Sequence, residues 1–124
     1  QPLSALLTVA RGTSIVTETI FETRFRFLDE LRKMGAQVQV DGRTAMIEGV
    51  EKLCGAPVAA CDLRAGAAMV IAGLCAEGTT EVEDVHYIER GYEDFVGKLR
   101  GLGADIALVS CPDEPERVKS INVC

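Results

Sequence analysis

One pattern is written twice in this chain, and that duplication narrows the folds open to it. Gly12-Thr13 recurs as Gly78-Thr79, Val16 as Val82, Glu18 as Asp84, Phe21 as Tyr87 and Arg24 as Arg90, all at a spacing of 66 residues. Further on, Leu31-Arg32-x-Met34-Gly35-Ala36 recurs as Leu99-Arg100-x-Leu102-Gly103-Ala104 at a spacing of 68. Both copies read helix, Gly-Thr, strand, arginine, helix, Leu-Arg-x-x-Gly-Ala, strand. A unit repeated at this length buries its apolar face against its neighbour. The expected architecture is therefore α/β, with one unit over about 1–50, a second over about 57–109, and a loosely held tail over 110–124.

Local signals agree with that order. Leu3–Ala10 is strongly apolar and predicts a helix ending at Gly12. Ser14–Phe21 is rich in β-branched residues and predicts a strand. Phe25–Met34 places apolar residues at 25, 27, 28, 31 and 34, one helical face, and stops at Gly35. Ala36–Val40 and Thr44–Glu48 alternate around Asp41-Gly42, which signals a hairpin. Pro57–Ala60 reads as a short strand. Ala65–Ala76 is a helix apolar on nearly every side, the mark of one buried all round. A strand over Thr79–Val85, a helix over Tyr92–Leu102 and a strand over Ala104–Val109 follow. Val118–Val123 can add an edge strand. The second unit opens with a strand before its helix and the first does not. With a start at Gln1 rather than methionine, this points to part of a longer protein.

The composition excludes several classes. A hydrophobic fraction of 48% supports a core, and aromatics at only 5% make it aliphatic. The formal net charge of -6 argues against general nucleic-acid binding, which needs a basic face. The longest apolar run, Gly66–Ala76, is about half of what a membrane span requires. Cys54, Cys61, Cys75, Cys111 and Cys124 are odd in number with no CxxC pair, and are read as buried, reduced thiols of a cytoplasmic protein. His86 has no ligand-spaced partner, so no metal site is expected.

Chemistry concentrates on arginine. Arg24 and Arg90 follow strands and precede helices, where α/β units present groups to ligands. Arg64 stands with Asp62 at the entrance to the buried helix. A guanidinium there can donate two parallel hydrogen bonds to a carboxylate or phosphate, and a helix N-terminus adds free N–H groups. Three such arginines suit a small dianion. The alternative is structural pairing of each with Glu22, Glu89 or Asp62. His86, on a strand beside Tyr87, is a weaker candidate acid.

Four stretches carry a family resemblance: Thr17-Glu-Thr-Ile-Phe-Glu-Thr-Arg24-Phe25, the run from Asp62-Leu-Arg through Leu74, Glu89-Arg-Gly-Tyr-Glu93, and Lys98-Leu-Arg-Gly-Leu-Gly-Ala-Asp105. In order and spacing they resemble the UDP-N-acetylglucosamine 1-carboxyvinyltransferases, the enolpyruvyl transferases of the first committed step of peptidoglycan synthesis. The resemblance spans about residues 1–109. It implies an inside-out fold of βαβαββ units with buried helices and outer sheets, of which this chain holds about two repeats.

It also implies substrates and roles. Phosphoenolpyruvate and UDP-N-acetylglucosamine are the implied partners, along with the remainder of a longer chain, and no cofactor is implied. Arg64 and Arg90 would hold the phosphate and carboxylate of phosphoenolpyruvate, and Asp62 would set the geometry. Ile20 and Phe21 would line the nucleotide-sugar site, Ile20 partly through its backbone. Arg24 would face the sugar nucleotide and the closing interface. The family's catalytic aspartate and its reactive-cysteine loop match nothing in these residues, so the chain alone is expected to be inactive. Departures are His86-Tyr87-Ile88 in place of Tyr-His-Ile and Glu89 in place of Asp. The sister enzyme that makes enolpyruvylshikimate phosphate, and a non-catalytic anion-binding module, are the competing readings.

Overall fold

A computed structural model describes residues 1–20, 25–110 and 119–123. The elements are α1 (Pro2–Leu7), β1 (Thr13–Thr17), α2 (Arg26–Lys33), β2 (Gln37–Asp41), β3 (Thr44–Glu48), β4 (Leu53–Cys54), β5 (Pro57–Ala59), α3 (Leu63–Cys75), β6 (Ala76–Glu77), β7 (Thr80–Glu83), α4 (His86–Glu89), α5 (Phe95–Gly101), β8 (Ile106–Ser110) and β9 (Lys119–Val123).

The duplication is visible in the sheets. The first has the order β1-β3-β2, all antiparallel. The second has the order β5-β7-β9-β8, with β5 parallel to β7 and the others antiparallel. β7, β8 and β9 thus repeat β1, β2 and β3. Among the described residues β5 has no counterpart in the first unit. The inner strand faces are aliphatic, with Val38, Ala45 and Ile47 buried in one sheet and Val58, Val82, Ile106, Ile121 and Val123 in the other.

The Leu-Arg-x-x-Gly-Ala motif proves to be one structural device used twice. Gly35 and Gly103 close α2 and α5 at φ of +95° and +99°. Their followers complete the closure, Ala36 N–H donating to Leu31 O at 3.2 Å and Ala104 N–H to Leu99 O at 3.0 Å. This is the Schellman stop, which needs a left-handed residue and so favours glycine. Arg32 then donates through Nε and Nη2 to Val38 O at 3.3 and 3.1 Å, and Arg100 through Nε to Ile106 O at 2.6 Å. Each arginine pins its helix to the strand that follows.

The helix α3 is enclosed as its all-round apolarity predicts. Ala65–Val70, Ala72 and Gly73 are buried, and the helix packs against α1, α2 and α4 and the inner faces of β5, β7 and β9. Small residues permit that proximity. A Cβ on Gly66 would stand 2.7 Å from Ile88 Cγ1 and 3.0 Å from Ala60 Cβ.

Four expectations need correction. The helix predicted over Tyr92–Leu102 is shorter, α5 over Phe95–Gly101, and a separate short helix that was not predicted, α4, precedes it. They are separated by Asp94 in the left-handed region at φ +46°, while Asp84 at φ +58° breaks the chain before α4. Aspartate tolerates that conformation because its side chain is short and polar. His86 accordingly opens a helix instead of lying on a strand. Lys119–Val123, assigned to a loose tail with an edge strand, is an inner strand paired on both sides, by β7 and by β8. It occupies the place that β3 holds in the first unit, and the buried Ile121 and Val123 are why it sits there.

The fourth concerns the thiols. Cys54 and Cys75 are exposed and Cys61 is half-buried; Cys111 and Cys124 lie outside the described residues. In β4 the buried Leu53 points inward, so the alternating Cys54 points out. Cys75 ends α3 beyond its buried stretch. Burial, then the negative charge of Glu30, pushes the Cys61 thiol above its ordinary value. Since the thiolate is the nucleophile, iodoacetamide at pH 8 should label Cys61 more slowly than Cys54 and Cys75. Peptide-mapped labelling rates check this, and equal rates at all three would contradict the packing around Cys61.

Candidate anion site at the head of the buried helix

The site begins with how α3 starts. Asp62 is its N-cap in extended conformation, and Asp62 Oδ1 accepts from Ala65 N–H at 2.8 Å. This is the ordinary role of aspartate at a helix start. Its other oxygen, Oδ2, accepts from Gln1 Nε2 at 3.4 Å, which ties the head of α1 to the head of α3. Asp62 is thus engaged in building the helix end.

Arg64 is in the first turn of α3 and is exposed. Arg90 is the C-cap of α4 and is also exposed. The residues flanking Arg90 pack on the first turns of α3. Ile88 lies against Gly66, and Gly91 lies so close to Leu63 that an added Cβ would be 2.6 Å from Leu63 Cδ1. The segments carrying Arg64 and Arg90 therefore meet at one end of the buried helix.

The structural-pairing alternative is answered for these two. Among the described residues neither guanidinium makes an ion pair or hydrogen bond. Asp62 is occupied with Ala65 and Gln1 instead of Arg64. Beyond the N-cap carboxylate of Asp62, the first turn of α3 carries no acidic residue, and two exposed guanidinia stand on the segments that meet there. That arrangement attracts a compact anion. A hollow of about 240 Å³ nearby, between α4, α5 and the second sheet, has the opposite character. Glu89, Glu93 and Asp94 line it, and they would repel a dianion.

Ile20 belongs to a different part of the molecule, the turn after β1. Its side chain is 76% exposed. Its N–H donates to Glu18 Oε1 at 3.0 Å, so the backbone group it can offer a ligand is the carbonyl. Phe21 and Arg24, and with them the Glu22 pairing alternative, lie outside the described residues. His86 stacks on Tyr87 with ring centroids 4.2 Å apart. Two contacts escaped the sequence reading. Gln1 reaches Asp62, and Arg43 Nη1 donates to Thr19 O at 3.1 Å. Only the hairpin signal at Asp41-Gly42 hinted at the second.

Solved structures share this fold. The fold matches the crystal structure of the enolpyruvyl transferase NikO from Streptomyces tendae, with a TM-score of 0.81 and 36% identity over 90% of this chain and 26% of that one. It also matches EPSP synthase from Acinetobacter baumannii, with a TM-score of 0.68 and 26% identity over 98% of this chain and 27% of that one. The architecture is the enolpyruvyl-transferase fold. The family model for EPSP synthase (3-phosphoshikimate 1-carboxyvinyltransferase) matches residues 2–99, and the chain belongs to that family.

Within it, the chain is similar to proteins named UDP-N-acetylglucosamine 1-carboxyvinyltransferase. The one numbered 3 in Caldanaerobacter subterraneus subsp. tengcongensis is 63% identical over 106 residues, 86% of this chain and 25% of that protein. The one numbered 2 in Geobacillus kaustophilus is 55% identical over 121 residues, 97% of this chain and 28% of that protein. The chain spans about a quarter of the length of these relatives.

Proposed function

We propose that this chain forms part of a UDP-N-acetylglucosamine 1-carboxyvinyltransferase and supplies the side chains that hold phosphoenolpyruvate. The observation that carries the reading is the pair of exposed guanidinia, Arg64 and Arg90, without partners among the described residues, on segments that meet at the capped head of a buried helix. In the reaction, the 3-hydroxyl of the sugar nucleotide adds to C2 of phosphoenolpyruvate, and the tetrahedral intermediate then loses phosphate. Arginines suit both stages. They fix the dianion for attack and balance charge as phosphate departs.

Arg64 and Arg90 are assigned to the phosphate and carboxylate, and Asp62 to holding the helix end. Ile20, Phe21 and Arg24 are assigned to the sugar-nucleotide side. The work belongs to cytoplasmic cell-wall synthesis, and through it to cell shape and division. The acid–base groups belong to other parts of such an enzyme, so the chain alone is expected not to turn over.

The identity to the UDP-sugar relatives, 63% against 26% for the EPSP synthase structure, favours this reading over the shikimate one. A graft tests it. The 106 matching residues replace their counterpart in the Caldanaerobacter relative, and phosphate release from phosphoenolpyruvate is measured with each acceptor. Release dependent on UDP-N-acetylglucosamine is the expected result. Release only with 3-phosphoshikimate would transfer the chain to the sister activity. A folded graft inert with both would leave a non-catalytic module.

A further inference from the structure

We infer that Arg43 is a positioning residue for the sugar-nucleotide side of the site, acting through the turn that presents Ile20. The inference rests on the proposed role of Ile20 in binding that substrate.

The geometry is local. β2 and β3 are joined by a two-residue loop, Gly42-Arg43, with Asp41 opposite Thr44. Gly42 has φ +58° and Arg43 does not have positive φ. A positive φ at the first central position alone is the pattern of a type II′ turn, which matches the twist of the strands it joins. Arg43 therefore stands on a stiff base. The last ladder pair between β1 and β3 is Thr17 with Thr44. One step further, Glu18 N–H donates to Arg43 O at 2.8 Å. The guanidinium of Arg43 then reaches over the departing chain to Thr19 O at 3.1 Å. Glu18 closes the turn from within by accepting from Ile20 N–H at 3.0 Å. Residues 18, 19 and 20 are each fixed by a hydrogen bond involving Arg43 or Glu18. The outcome is an apolar side chain held out in water on a constrained turn.

The second unit shows that the fold does not demand this device. At the position matching Glu18 stands Asp84, which turns the chain by its own left-handed backbone at φ +58° and leads straight into α4. Its hairpin partner strands, β8 and β9, are separated by residues 111–118 instead of two. A two-residue tip bearing arginine belongs to the first unit alone. Where two copies of one unit differ, the difference reflects what one copy does and the other does not. Here it falls on the turn carrying Ile20.

The grafted transferase gives the test. Arg43→Met should raise KM for UDP-N-acetylglucosamine about fivefold, as expected for losing one charge-assisted anchor. It should leave kcat and KM for phosphoenolpyruvate within about twofold, because the anchor does not touch the helix-head site. Arg43→Lys keeps a donor and should restore most of the loss. In the 124-residue chain itself, the Ile20 amide should exchange with solvent faster in Arg43→Met than in the parent.

If Arg43→Met leaves that KM unchanged while Ile20→Ala raises it, the positioning role is overturned and the substrate reading stands. If neither variant moves it, the role of Ile20 fails and the inference fails with it. If Arg43→Met lowers kcat and thermal stability together and lysine restores neither, the residue is merely structural and the inference is overturned.

Discussion

Arg64→Met in the grafted transferase is expected to lower kcat/KM for phosphoenolpyruvate by about two to three orders of magnitude, the usual effect of removing one donor aimed at developing charge. Methionine keeps the aliphatic stem and removes the fork. The guanidinium has no partner among the described residues, so its loss leaves no carboxylate stranded. The thermal midpoint should stay within about 2 °C. Arg90→Met should behave similarly. The double variant should lose less than the product of the single losses, because both act on one small dianion. Arg64→Lys should recover little, since a point charge cannot reproduce two parallel hydrogen bonds. Steady-state kinetics against both substrates, with melting curves on the same samples, checks all of these. An Arg64→Met graft with unchanged kcat/KM would remove the helix head from the mechanism.

What the sequence disclosed, and what it hid, follows from the physics of each feature. The duplication was legible because each motif position answers a backbone requirement. Gly35 and Gly103 are glycine because both helices stop through a left-handed residue. Arg32 and Arg100 are arginine because both reach a strand carbonyl. Repetition alone could not separate those bracing arginines from Arg90, which is also duplicated, and it does not reach Arg64. That distinction needs partners: in the folded chain the first pair has them, and among the described residues Arg64 and Arg90 have none.

The short helix α4 and its break from α5 were hidden because they depend on Asp84 and Asp94 at positive φ, which composition does not advertise. The placement of β9 was hidden because its neighbours, β7 and β8, are not settled by local pattern. The thiols were misread because apolar neighbours in sequence do not bury a residue at the last position of a helix, as Cys75 shows. Arg43 looked like an ordinary hairpin residue, and its reach to Thr19 is a tertiary fact.

The largest effect on stability is expected at Gly49. β3 ends at Glu48, and the chain then passes directly over the link between α1 and β1. Gly49 N–H donates to Gly12 O at 2.9 Å, and Val50 N–H to Thr8 O at 2.8 Å. A Cβ added at Gly49 would overlap the carbonyl oxygen of Ala10 and come within 2.7 Å of its carbon. Those are backbone atoms, so no rotamer change can relieve the clash. Either the crossing opens and loses both hydrogen bonds, or the α1–β1 link moves and takes α1 off α3. Gly49→Ala should therefore cost about 3 kcal/mol or more, above the usual overpacking range because side chains cannot yield. For a chain of this size that lowers the thermal midpoint by roughly 10–20 °C.

Two other glycines set the scale. At Gly35 there is open space but φ is +95°, so alanine should cost only about 1 kcal/mol of backbone strain. Gly101 ends α5 with nothing within 4 Å and no positive φ, so alanine there should stabilise by up to about 1 kcal/mol. Thermal melts of the three variants should rank Gly101→Ala above the parent, Gly35→Ala below it and Gly49→Ala far below. A Gly49→Ala chain that melts with the parent would mean that the segment after β3 does not cross the α1–β1 link as described. The tie that brings the first unit onto the buried helix, and so holds Gln1 against Asp62, would then need another source.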